Sequence, residues 1–448
     1  MKSKYFFFIL AISLFSHLLF FGQPKEAVFD ESLFGDFSQD YLKGKYFFDI
    51  HPPLGKMLIA GTAKLMGYDH YHGYGFGSNE YETDDYLFLR LLPLIAGIFL
   101  GPLLYLVAKA MSFSEKASFL VGFFISCDNA LIMQSRFILL DALLLFFGFL
   151  GILYFLKYKK DLSTRHLAIA GFFAACASSV KWTGLSFLGI IILFYLLSLV
   201  ESGKRKINLL RGILSLVVIP IVFYFFVFTI HFWLLNKTGS GDYRNTPEFQ
   251  KTLIGSGYEN DPDIKHLGYF GKFVEENSLM YSVNEKTTDI HAYSSKWYSW
   301  PFLGKPILYW KGTAEKGSVD MFLIGNPVVW WSSFLAVLIT LGLFFKKIIH
   351  KLKYLRKNQM KWNLSFSRSE FVPLFILTGF LVNWVSFIFI HRFMLVYHYF
   401  PALVFSILAL GYVIHKRTNN KRILFGLYFE AILFFLFLFP LAYGVPLF

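Results

Sequence analysis

Charge is scarce in this chain. Of its 448 residues, 16% are Asp, Glu, Lys or Arg, where water-soluble domains carry about a quarter. A chain so poor in charge cannot cover itself as one aqueous globule, and domain counting from length does not apply. Cysteine is scarcer still: Cys127 and Cys176 both sit in apolar stretches, which argues against a disulfide framework or a thiolate metal site. There is no P-loop, no G-x-G-x-x-G opening a helix after a strand, no H-E-x-x-H and no C-x-x-C pair, so nucleotide-driven transport and zinc hydrolysis have no local support. Internal repeats and low-complexity tracts are missing too, against a transporter built from repeats with matching broken spans. Behind Lys2 and Lys4, residues 1–22 run into Gln23-Pro24-Lys25 with no small-residue cleavage site, so they read as a first membrane helix rather than a removed signal.

What the chain has is hydrocarbon. It is 56% hydrophobic and 20% aromatic, with a mean hydropathy of +0.51. Runs long enough to span a bilayer, at about 20 residues each, fall near 5–22, 87–108, 117–133, 137–156, 166–180, 183–200, 212–235, 319–345, 371–390, 393–414 and 423–443. The expectation is an all-α integral membrane protein with about eleven transmembrane helices, of which 117–133 and 166–180 are short enough to be tilted, broken or re-entrant. The net charge of +14 could suggest nucleic acid, but the cations collect in short loops at 157–160, 204–206, 346–368 and 416–417. With eleven spans these share one side with Lys2 and Lys4, the cytoplasmic side of the positive-inside rule. Nucleic acid is therefore not expected as a partner. Two long loops, 23–86 and 236–318, then face outward and hold most of the acidic residues. The first contains Pro52-Pro53-Leu54-Gly55-Lys56, opening an apolar stretch too short to span and suited to an interfacial helix.

Candidate chemistry concentrates at that outer side. Asp30-Glu31 follows the first span, upstream of Asp49-Ile50-His51-Pro52-Pro53. Adjacent carboxylates there read either as solvated loop charge or, partly desolvated, as a general base. Arg136 and Asp141 flank the turn into the fourth span, and charge in a span is a functional candidate by default. Arg136 could bind an anion or pair with Asp141; Asp141 reads better as a helix-packing ion pair. Lys181, His391-Arg392 and Tyr397-His398-Tyr399 sit at outer helix junctions. Together they could converge on a phosphate; singly, each is equally an interfacial anchor. Trp330 and Trp331 suit the aromatic belt, whereas Trp297 and Trp300 lie well before the span and suit a binding groove.

In this order, Asp30-Glu31 with Phe48-Asp49-Ile50-His51-Pro52-Pro53-Leu54-Gly55-Lys56, Ser135-Arg136-Phe137-Ile138-Leu139-Leu140-Asp141, Ser179-Val180-Lys181-Trp182-Thr183-Gly184-Leu185, Trp297-Tyr298-Ser299-Trp300-Pro301, Gly325-Asn326-Pro327 and Tyr397-His398-Tyr399-Phe400-Pro401 resemble the blocks of the protein O-mannosyltransferase family, integral-membrane glycosyltransferases of the GT-C class. The resemblance implies transfer of mannose, with inversion, from a polyprenyl-phosphate-mannose donor to Ser or Thr of secreted or membrane proteins. No cofactor or metal is required beyond the lipid-linked sugar. The implied catalytic residues are Asp30, as base, and Glu31. Arg136 is implied to serve activity; by placement, His51, Lys181, Arg392 and His398 are expected with it at the donor phosphate or sugar, and Trp297 and Trp300 at the acceptor. The implied partners are the lipid-linked donor, a Ser/Thr polypeptide, membrane lipids and the secretion machinery, with the site on the extracytoplasmic face of the cell membrane. Loop 236–318 is too short for the β-trefoil MIR module of eukaryotic members, which resembles the bacterial type. A related enzyme moving another sugar to protein or lipid is the alternative, and a lipid or sugar transporter is the non-enzyme rival.

Overall fold

The computed structural model describes residues 4–69, 80–201, 208–287, 291–314, 317–357, 367–417 and 420–445. The basic loop 204–206 and part of 346–368 lie outside these residues. All eleven apolar runs hold helices. In chain order the helices are α1 (Lys4–Leu18), α2 (Glu31–Lys43), α3 (Leu54–Leu65), α4 (Tyr86–Ala110), α5 (Glu115–Ser126), α6 (Asn129–Ser135), α7 (Asp141–Asp161), α8 (Thr164–Val180) and α9 (Leu185–Glu201). They continue with α10 (Leu209–Ile213), α11 (Ile219–Leu234), α12 (Pro247–Gln250), α13 (Tyr269–Lys286), α14 (Pro327–Lys357), α15 (Arg368–Trp384), α16 (Phe400–Arg417) and α17 (Lys421–Tyr443). Among the described residues eight helices are long and apolar enough to cross a membrane, and nine if α5 and α6, bent by 58°, form one span. The run at 117–133 is thus a broken helix. α1, at 15 residues, and α8, at 17, are shorter.

The break has a chemical cause. Asp128, fully buried, caps α6 by accepting from Leu131 N at 3.0 Å. Its other oxygen takes Asn326 N at 3.0 Å and Trp330 Nε1 at 2.8 Å, tying the bend to the start of α14. Asn326 Nδ2 in turn donates to Ala431 O at 2.8 Å. The Gly325-Asn326-Pro327 block is therefore a helix-packing joint, and Trp330 is buried inside it rather than lying in the aromatic belt; Trp331 faces outward.

α16 runs through the centre, buried from Phe400 to Ile414, while α17 and α11 expose much of their surface, as lipid-facing helices do. Close approach depends on small residues. A side chain at Gly101 of α4 would strike Ser126 Oγ and Gly122 O of α5.

The two long loops pack on each other. Backbone bridges join Lys45 to Lys237 and Lys237 to Ile254, Tyr46 Oη lies 2.6 Å from Glu276 Oε2, and Asn284 Nδ2 donates to Ile50 O at 3.2 Å. Gly239 and Gly241 let this happen, since a Cβ on either would meet the Tyr46 or Phe48 backbone at 2.0 Å. The stretch after Pro52-Pro53 forms the helix α3. The described part of the second loop holds helices and one hairpin, with no β-trefoil.

That hairpin amends the all-α expectation. Strands β1 (Ile307–Ala314) and β2 (Gly317–Leu323) pair antiparallel. β2 merges in sequence with the apolar run that begins at 319, and short apolar runs do not distinguish strand from buried helix. The helix begins at Pro327, a favoured first residue.

Candidate active site

Asp30 and Glu31 stand at the start of α2, and Phe29 before them has φ 47°, the left-handed region that costs a non-glycine residue about 1–2 kcal/mol. Phe29 is held there by a bond from its N to Tyr309 O at 3.1 Å and by ring stacking on Tyr309, centroids 4.7 Å apart. The turn aims the two carboxylates apart. Glu31 is fully buried and bidentate to Arg90, with Nε and Nη2 each at 2.7 Å. It also accepts from Val28 N and Ile138 N at 3.1 Å. Arg90 gives two more N–H donors to Pro24 O and Glu26 O, each at 3.0 Å. This is a closed network in which Glu31 holds the loop to α4. Arg90 was missed in the sequence; its signal was a cation inside the apolar run 87–108.

Asp30 turns the other way. It is half-buried and accepts from Tyr397 Oη at 3.4 Å. Burial raises its pKa to about 6; the charge of Lys181 pulls it down and that of Asp141 pushes it up. Tyr397 lines a cavity of about 390 Å³, and Asp30 lies one side chain behind it. The polar wall includes His51, Asp141, Lys181, Asn284, Arg392 and His398, with Glu285 and His391 also on the lining, and the apolar wall includes Leu144, Phe387, Ile390, Met394 and Pro401. Four of the residues singled out from sequence, His51, Lys181, Arg392 and His398, thus converge from far-separated segments.

The tertiary structure sets each one's chemistry. Lys181 closes α8 in an extended conformation; its Nζ donates to both Asp141 oxygens at 2.9 Å and stands 5.2 Å from the Tyr397 ring centre. Asp141 accepts Gln134 Nε2 at 2.7 Å as well. It is a helix-packing ion pair, as expected, with Lys181 as its partner in place of Arg136. Arg392 Nη1 donates to Asn284 Oδ1, and its buried Nε has no partner among the described residues. His51 is held well below the usual imidazole range, first by burial and then by Lys181, Lys56 and Arg392. At neutral pH it offers a neutral ring, not a cation. His398 Nδ1 is 2.9 Å from Leu395 O, and its ring stacks between Tyr397 and Trp300, at 4.8 and 6.2 Å.

Three other expected site residues stand elsewhere. Arg136 is fully buried; it donates to Phe20 O and, at 3.5 Å, to Ala442 O, with its guanidinium 4.4 Å from the Tyr443 ring centre. Its fork joins the turn after α1 to the end of α17, and Arg136 does not line the cavity. Trp300 is fully buried, donates to Ser295 Oγ at 2.9 Å and packs edge-on to Phe387; it supports the cavity wall from behind. Trp297 packs edge-on to Trp384, which donates to its carbonyl at 2.9 Å.

A cavity with two cationic side chains, a partly desolvated carboxylate beside it and an apolar flank can hold an amphiphilic phosphate and withdraw a proton. Comparison with known proteins bears on what that phosphate belongs to. The family described as dolichyl-phosphate-mannose-protein mannosyltransferase matches residues 7–236, and the C-terminal four TMM region of protein-O-mannosyltransferase matches 269–448. Dolichyl-phosphate-mannose–protein mannosyltransferase 6 of Saccharomyces cerevisiae is 32% identical over 264 residues, covering 55% of this chain and 34% of its own length. Protein O-mannosyltransferase 1 of Drosophila melanogaster is 35% identical over 272 residues, covering 55% and 30%. These matches span about a third of the relatives' own length. The S. cerevisiae protein O-mannosyltransferase Pmt1–Pmt2 complex bound to the sugar donor shares the fold, with a TM-score of 0.84 at 20% identity over 100% of this chain and 91% of that one. The Archaeoglobus fulgidus oligosaccharyltransferase gives 0.56 at 14% identity over 99% and 53%. The fold is that of the GT-C glycosyltransferases, and the chain belongs to the dolichyl-phosphate-mannose-protein mannosyltransferase family.

Proposed function

We propose that this chain transfers mannose from a polyprenyl-phosphate-mannose to Ser or Thr hydroxyls of protein acceptors, with inversion at the anomeric carbon. The observation that carries the reading is the cavity, whose polar wall presents Lys181 and Arg392 and whose other wall is apolar. This suits a charged phosphate on a hydrocarbon tail. The relatives' names and the yeast complex, described as bound to the sugar donor, support it.

In this reading the acceptor oxygen attacks the anomeric carbon and gives its proton to Asp30. The bond from that carbon to the phosphate oxygen breaks, and the polyprenyl phosphate leaves with the electron pair. Lys181 bonds both Asp141 oxygens and keeps its third N–H for the phosphate. Arg392 brings a fork held by Asn284, and neutral His51 brings a ring N–H. Each such preorganised donor contributes around 3 kcal/mol to transition-state stabilisation in a dry site. Glu31 acts by holding the Asp30 turn to Arg90. Trp300 and Trp297 act on the acceptor side only by supporting the wall, and Arg136 belongs to the scaffold. Loops 23–86 and 236–318, packed together around the site, face the extracytoplasmic side by the charge asymmetry of the remaining loops.

The test uses the full chain in detergent with polyprenyl-phosphate-mannose and a Ser/Thr peptide. The expected product is a mannosyl peptide of inverted anomeric configuration. Faster transfer from the corresponding glucose donor would reassign the sugar, and bound donor with no transfer to the peptide would sink the protein-acceptor reading.

A further inference from the structure

Tyr309, on β1, belongs to none of the blocks singled out in the sequence and lines no part of the cavity, yet it joins the two halves of the site. Its ring lies flat on Phe29, with planes 9° apart, and its carbonyl accepts Phe29 N at 3.1 Å. This contact holds the left-handed residue directly before Asp30. Its hydroxyl donates to Gln134 Oε1 at 2.5 Å. Gln134 passes the polarity on, Nε2 donating to Asp141 at 2.7 Å, and Asp141 receives Lys181 Nζ. The order of donors matters. With the Tyr309 hydroxyl on its oxygen, the Gln134 amide must turn its NH₂ to the carboxylate; the flipped amide would set a carbonyl oxygen against it. The neighbouring Trp310 adds a second tie, donating Nε1 to Glu26 Oε2 at 2.9 Å in the segment leading to Asp30.

We propose that Tyr309 is a positioning residue that sets base and cation relative to one another, its ring fixing the Asp30 turn and its hydroxyl fixing Lys181 through Gln134 and Asp141. This rests on reading Asp30 and Lys181 as the groups that face acceptor and donor. A tyrosine buried only for packing would also find a partner for its hydroxyl, so the test must move something that packing does not.

Tyr309→Phe keeps the ring and removes the hydroxyl. In the full chain in detergent, the KM for polyprenyl-phosphate-mannose should rise about fivefold, the size of one lost hydrogen bond, with only a modest fall in melting temperature. Gln134→Leu cuts the same chain one link on and should raise it similarly. The double variant should be no worse than the worse single one, because the two act in series. Tyr309→Leu, which also removes the ring, should in addition lower kcat and shift the acidic limb of the pH profile. A wild-type donor KM in Tyr309→Phe, or additive effects in the double variant, overturns the proposal. If Tyr309→Phe does not fold, Gln134→Leu carries the same expectation, and a wild-type KM in it overturns the proposal equally. Binding of polyprenyl phosphate alone is measured on the same preparations. Wild-type protein that binds the phosphate but transfers no mannose sinks the mannosyltransferase reading, and the Tyr309 comparison is then decided on the phosphate Kd, where equal affinities overturn it.

Discussion

Asp30 and Glu31 are consecutive in the chain, but their carboxylates serve different systems. Glu31 is closed by Arg90 and two backbone N–H groups in a fully buried network, while Asp30 meets the Tyr397 hydroxyl beside the cavity. The left-handed turn at Phe29 accompanies the divergence, and under the proposed function the pair has one reactive and one structural member.

Glu31 and Arg90 should therefore behave as a stability unit. Removing one partner of a buried ion pair leaves an uncompensated charge and costs about 3–5 kcal/mol. Arg90→Leu and Glu31→Leu should each lower the melting temperature strongly, and the double variant should recover part of the loss. Additive losses in a double-variant cycle would show that the two do not act on each other.

Asp30→Asn should cut kcat by about a hundredfold or more, the usual range for loss of a general base, with donor binding retained. Because the Asp30 pKa is raised to about 6, wild-type activity should fall as pH drops through that value. The stability effect has the opposite sense. The folded state holds this proton more tightly than the unfolded chain does, so this contribution is present at low pH and is lost as pH rises toward 6. Asp30→Asn should thus be more stable than wild type at pH 7.5, with the gap closing as pH falls from 6 toward 4. Melting curves across that range, beside the rate profile, check both signs.

Lys181 and Arg392 should separate by what they leave behind. Lys181→Ala strands Asp141 in a buried site, and so should lose stability along with turnover. Arg392 sits at the cavity with Asn284 as its partner. Arg392→Ala should raise the donor KM with little change in melting temperature, and Arg392→Lys should recover little of it, since a point charge does not replace a planar fork. A peptide KM that rises while the donor KM stays fixed would move Arg392 to the acceptor side.

Arg136 and Trp300 should report on folding. Arg136→Lys loses the fork that spans the Phe20 and Ala442 carbonyls; the melting temperature should fall, while the folded fraction keeps its donor KM. Trp300→Ala empties a fully buried indole site and should cost about 3–5 kcal/mol, with peptide affinity unchanged in whatever folds. A selective rise in donor KM for Arg136→Lys, at unchanged stability, would return that residue to the site.

By itself the sequence determined the solvent, the helices and the list of costly residues. Apolar runs near 20 residues have few structures open to them in lipid, because each backbone polar group must be satisfied within its own segment. All eleven runs hold helices for that reason, and the loop pattern placed His51, Lys181, Arg392 and His398 at a common end. Tertiary structure alone decided which charge meets which. Arg90 and Arg136 both read as cations in apolar surroundings, and nothing local says that Arg90 closes on Glu31, 59 positions away, while Arg136 spans the Phe20 and Ala442 carbonyls. Lys181 finds Asp141 across 40 positions, displacing the nearer Arg136. Local rules reach about one helical turn, whereas these pairings depend on which helix faces approach and how closely small residues such as Gly101 and Gly122 let them. The hairpin was hidden for a related reason: β2 is apolar enough to read as the start of a span, and only its pairing with β1 makes it a strand and brings Tyr309 between Phe29 and Gln134.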